Sequence, residues 1–100
     1  LLKIDLFKKK FKNVGFSDHS LGIEASILSL KYNPILIEKH FTTNNSLPGR
    51  DNKFAILPKD LKSLKDIIIK NSLANKFRGK NFLKCEIEAR KIYSGRWNKK

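Results

Sequence analysis

The stretch Val14–His40, VGFSDHSLGIEASILSLKYNPILIEKH, decides the fold. It opens on a short apolar segment, Val14 to Phe16, bracketed by Asn13 and Gly15. Ser17, Asp18, His19 and Ser20 then stop the pattern with turn and cap chemistry. The reading is a buried strand that reaches a polar mouth. From Leu21 to Tyr32, Ile23, Ile27 and Leu30 recur at helical spacing with Ala25 and Leu28 beside them. This predicts a helix of about three turns, with Ser20 or Asp18 available to cap its free amides. Asn33 and Pro34 end it, because proline lacks the donor and turns the preceding residue away from helical geometry. Ile35, Leu36 and Ile37 follow as a continuous β-branched and apolar run, the pattern of a strand buried on both faces of a parallel sheet. Strand, helix, strand of this kind is a βαβ crossover, with both carboxy ends on one side.

Outward from this unit, Leu1 to Lys12 has the spacing of an amphipathic helix, with Leu2, Leu6, Phe7 and Phe11 set among lysines. Thr42 to Asn52 is polar and holds Pro48 and Gly49, which predicts a long loop directly after His40. Pro58 opens a further helix with Asp60 in its first turn and Leu61, Leu64 and Ile68 along one face, running to about Lys70. Beyond Asn71 the signals fade into a loop around Gly79, a short helix from Cys85 to Ile92, and a basic tail from Tyr93 to Lys100. The sequence contains no internal repeat.

With 100 residues, 40% of them apolar and 31% charged, the chain suits one folded unit and does not suit a disordered tail. No apolar run approaches the roughly 20 residues that cross a bilayer. The amino terminus lacks the long apolar core of a signal peptide, so a cytoplasmic location is expected. Cys85 is the only cysteine, which excludes an internal disulfide and a cysteine-rich zinc site. The absence of methionine suggests part of something longer. The net charge of +13 raises a second reading, a small basic module that binds nucleic acid through its lysines. Lysine is spread over nearly every segment, however, which also describes a solvated surface and makes a nucleic-acid partner the lesser expectation.

His19 follows the first expected strand and His40 the second, 21 positions apart, the length of one helical crossover. Neighbouring strands lie about 4.8 Å apart, so imidazoles at their tips can meet one cation, or can each hydrogen-bond locally. Oxygens from Ser17, Asp18 and Asp51 nearby suit an octahedral ion such as Mn²⁺ or Mg²⁺ better than a closed zinc site. A histidine ligand must be deprotonated, so metal affinity should weaken in acid, below about pH 6.5.

Four strings now stand in order: VGFSDHS with LGIEA, IEKHF, LPGRDNK, and LPKDLKSL. Together they resemble the sialic acid synthase family, makers of N-acetylneuraminate and of legionaminic and pseudaminic acids, over about Lys12 to Lys70. The resemblance implies an α/β fold, a (β/α)₈ TIM barrel of which this chain holds the last two strand-helix units. It implies a metal-dependent transferase that condenses phosphoenolpyruvate with an N-acetylated amino sugar. His19 and His40 would be the metal ligands, Ser17 a contact to the phosphate of phosphoenolpyruvate, and Asp51 a contact to sugar hydroxyls. The catalytic Glu and the phosphate-holding lysines of the family belong to earlier strands, so this fragment is expected to be inactive alone. The resemblance implies a homodimer in which an antifreeze-like domain completes the partner subunit's site; here residues 1–92 are expected to correspond to the barrel and 93–100 to a basic tail, with that domain absent. Glu86, Glu88 and Arg90 echo the family's closing helix. Arg50 stands where many relatives have proline.

Overall fold

The computed structural model describes residues 1–96. Its elements run α1 (Leu2–Lys8), β1 (Phe16–Asp18), α2 (Glu24–Ser29), a 3-10 turn (Leu30–Tyr32), β2 (Ile37–Lys39), a second 3-10 turn (Asn52–Phe54), α3 (Pro58–Ala74) and α4 (Lys84–Tyr93). The basic tail expected from Tyr93 onward falls partly outside the described residues, at 97–100, and Trp97 with it.

β1 and β2 pair in parallel, with Phe16 opposite Ile37, Ser17 opposite Glu38 and Asp18 opposite Lys39. α2 links them and packs against both β1 and α3. The class is α/β as expected, with two parallel strands in the sheet among the described residues. Both strands lie two residues further along than the apolar runs suggested. Backbone bonds from Ile35 N–H to the Val14 carbonyl and from Phe16 N–H to the Leu36 carbonyl connect the runs themselves. The ladder then continues through polar residues, because their side chains also pair across it.

α2 is shorter than the expected Leu21–Tyr32. Gly22 adopts φ 71°, a left-handed conformation that helical geometry excludes, and the helix begins only at Glu24. No side chain caps its start, so neither Ser20 nor Asp18 plays that part. At the far end Asn33, with φ 52°, closes the 3-10 turn before Pro34. α3 is longer than expected, reaching Ala74. Asp60 accepts the Leu57 N–H at 3.2 Å at its start, and the Asn75 side-chain amide donates to the Asn71 carbonyl at 2.9 Å at its end.

The apolar run of β2 is not buried on both faces: Ile35 is 67% and Leu36 63% exposed. Among the described residues β2 has one neighbouring strand, β1. Among the described residues the buried apolar side chains are Ile4, Ile56 and Leu64. The radius of gyration, 20.3 Å, exceeds the roughly 13 Å of a compact domain of this length. Among the described residues no helix is long and apolar enough to cross a membrane.

Candidate metal centre and its supports

Parallel register carries one step beyond the last paired residues, Asp18 and Lys39, to His19 and His40. Their ring centroids lie 5.2 Å apart with planes inclined at 58°. An imidazole nitrogen about 2.1 Å from an ion sets its ring centre about 3.2 Å from that ion. Two such ligands at an angle between perpendicular and tetrahedral have centres about 4.5 to 5.2 Å apart. The observed separation falls at the wide end of that range, so the pair fits a shared divalent ion. Among the described residues, no group of three or more His, Cys, Asp or Glu side chains is arranged to hold a metal ion. Two protein ligands would leave the remaining positions to substrate and solvent.

Behind the histidines lies a buried polar cluster. Asp18, 2% exposed, accepts hydrogen bonds from the Ser20 N–H at 2.9 Å, the Ser20 hydroxyl at 2.6 Å and the Ser26 hydroxyl at 2.6 Å. Its carboxylate also lies 3.2 Å from the Lys39 ammonium, which donates to the Ser20 carbonyl at 2.6 Å. Burial pushes the Asp18 carboxyl up, but the donors from Ser20, Ser26 and Lys39 outweigh it and hold the group down at about 2. Ser29, also buried, donates to the Ser26 carbonyl and holds that end of α2 in place.

Successive side chains of a strand point to opposite faces, so Ser17 and Glu38 stand on the other face of the ladder from this cluster. There the Ser17 hydroxyl donates to the Glu38 carboxylate at 2.7 Å. The loop after His40 folds back on it: the Ile56 N–H donates to the His40 carbonyl at 2.8 Å, and the Thr42 N–H to the Ile56 carbonyl at 3.0 Å. Asparagines staple the loop. The Asn52 side-chain amide donates to the carbonyls of Asn44 and Leu47, and that of Asn45 to those of Asn52 and Ala55. The result sets the Asp51 carboxylate 3.9 Å from Nε2 of His40.

Of the residues singled out from sequence, His40 lies beside both His19 and Asp51, and Ser17 stands on β1 two residues before His19. Asp18 is not available to an ion, since its oxygens are committed to Ser20, Ser26 and Lys39. Glu38 and Lys39 do not pair with each other; each pairs across the ladder. The roles of Lys39 and Ser26 were missed. A signal for Lys39 did exist: Ser17 and Glu38, Asp18 and Lys39, and His19 and His40 share one offset of 21 positions, which sets opposite charges side by side.

Comparison with known proteins adds independent information. The family model described as NeuB family matches residues 1–80. An N,N'-diacetyllegionaminic acid synthase of Legionella pneumophila is 45% identical over 51 residues, covering 51% of this chain and 14% of the relative. The spore coat polysaccharide biosynthesis protein SpsE of Bacillus subtilis is 47% identical over 58 residues, covering 57% of this chain and 16% of the relative. The chain therefore spans only a small part of the relatives it matches. Among solved structures, the N-acetylneuraminic acid synthetase of Leptospira borgpetersenii, in complex with citrate, superposes with a TM-score of 0.71 at 28% identity, over 97% of this chain and 34% of that one.

Proposed function

The chain belongs to the NeuB family, and on that premise we propose that it forms the carboxy-terminal part of a synthase barrel that joins phosphoenolpyruvate to an N-acetylated amino sugar. The observation that carries the reading is the pair His19 and His40, with ring centres 5.2 Å apart at the carboxy ends of parallel strands. In (β/α)₈ enzymes the active site is built at that end. The legionaminic and pseudaminic acid synthases among the relatives favour this reading over a basic nucleic-acid-binding module.

In this proposal His19 and His40 hold a divalent ion, Mn²⁺ or Mg²⁺, through neutral imidazole nitrogens. Bound there, such an ion supplies Lewis acidity toward the aldehyde oxygen of the open-chain sugar. Asp51 lies near enough to His40 to accept hydrogen bonds from sugar hydroxyls and so orient the sugar beside the imidazoles. Ser17, on the same side of the ladder as Glu38, donates to the phosphate of phosphoenolpyruvate when its proton is released from Glu38. The general acid-base group and the cationic phosphate contacts are contributed by parts of the barrel outside this chain, so the chain alone does not turn over.

A domain graft tests the proposal. Residues 12–70 of this chain replace the matching segment within the Legionella or Bacillus relative, and phosphate release from phosphoenolpyruvate is followed with N-acetylated amino sugars. Sugar-dependent release that is lost on His19→Ala or His40→Ala is the expected result. A folded graft with no sugar-dependent release contradicts the proposal.

A further inference from the structure

We infer that the buried Asp18–Lys39 pair is a positioning device that sets the spacing of His19 and His40, and so tunes cation affinity without touching the cation. The inference rests on the proposed metal role of the two histidines. Each imidazole is borne one residue beyond the last paired position of a two-stranded ladder. A tie across the ladder at that point fixes how far apart the two tips stand.

Lys39 supplies the tie, and its contacts are specific to His19. Its ammonium meets Asp18, the residue before His19, at 3.2 Å, and the carbonyl of Ser20, the residue after it, at 2.6 Å. Asp18 meanwhile closes a tight turn around His19 by accepting both the N–H and the hydroxyl of Ser20. His19 is therefore gripped on both flanks from the residue that directly precedes His40. The Lys39 and Asp18 side chains are 4% and 1% exposed, so water does not screen their attraction. A buried ion pair adds little net stability over an apolar pair of the same size, whereas it fixes direction and distance. Groups that hydrogen-bond metal ligands directly commonly alter affinity by about 10- to 100-fold when removed, and a pair that acts through the flanking residues is expected at the low end of that range.

The test is Mn²⁺ affinity of the full chain, read by water-proton relaxation, with amide proton–nitrogen correlation spectra reporting the fold. Lys39→Met is expected to weaken Mn²⁺ binding by about tenfold or more, and Lys39→Arg, which keeps a cation in reach of Asp18 and Ser20, to restore it to within about threefold. Ser29→Ala, which removes a buried bond of α2 but touches neither partner, is expected to leave affinity unchanged. Lys39→Met binding Mn²⁺ as the parent does would overturn the inference. If Lys39→Met loses its folded spectrum, Asp18→Asn, which keeps the side-chain shape, carries the test with the same two outcomes. Failure of the unaltered chain to bind Mn²⁺ would instead remove the metal reading itself, and the inference with it.

Discussion

The Ser17 hydroxyl donates to the Glu38 carboxylate across the parallel ladder at 2.7 Å. A serine has one proton to donate, so a phosphate at Ser17 competes with Glu38 for it and also meets that residue's negative charge. Two charges about 4 Å apart repel by about 1 kcal/mol even in water. Glu38→Gln is therefore expected to raise the affinity of the chain for inorganic phosphate about fivefold, measured by phosphorus NMR titration. Unchanged affinity in Glu38→Gln would show that Ser17 is not a phosphate contact.

Acid should weaken the fold through Asp18. Its carboxyl is lowered from 3.8 to about 2 by the Ser20, Ser26 and Lys39 donors, which overcome the opposing effect of burial. A lowered folded-state value gives stability that is present above the unfolded value and lost as pH falls through the folded one. The window is thus from about pH 4 down to about pH 2, and the loss about 2 kcal/mol. Urea unfolding followed by circular dichroism across that range checks it, and Asp18→Asn should flatten the dependence.

The core is narrow enough to be probed residue by residue. Leu64 on α3 is 4% exposed, whereas Leu28 on α2 is 63% exposed. Leu64→Ala is expected to cost about 3 kcal/mol, and Leu28→Ala less than about 0.5 kcal/mol, by the same urea method. Equal effects would mean that the buried face of α3 is not what holds the chain together.

The loop that carries Asp51 depends on Asn52, whose side-chain amide donates to the carbonyls of Asn44 at 2.7 Å and Leu47 at 2.9 Å. Each such bond contributes about 1 kcal/mol, and Asn52→Ala removes both. Trypsin cleavage after Arg50 should then accelerate about tenfold or more, judged by mass spectrometry of timed digests. An unchanged rate would show that the loop is held by other means.

Much of this arrangement was legible in the residues. Pro34 and the interval between the histidines placed the crossover, and Pro58 with Asp60 marked the start of α3, because capping and proline chemistry act locally. The burial of Ile35 and Leu36 was misread, since an apolar run reports what a strand is suited to face and not what covers it. The strands themselves extend into Ser17–Asp18 and Glu38–Lys39, where cross-strand pairing and not hydropathy maintains the ladder. The end of α3 was placed early, at about Lys70, because Asn71 is a weak helix former; here its carbonyl accepts a closing hydrogen bond from Asn75. The placement of Asp18 behind the histidines, away from any ion they share, depends on which way a strand residue points, and that requires the strand boundaries to be known first.

The most direct test of the account is Mn²⁺ binding to the purified chain, followed by electron paramagnetic resonance alongside His19→Ala and His40→Ala. One Mn²⁺ per chain is expected, lost in either variant, with the imidazole proton resonances of both histidines broadened in the unaltered protein. Binding that survives both substitutions, or that leaves one imidazole unbroadened, would contradict a cation shared between His19 and His40.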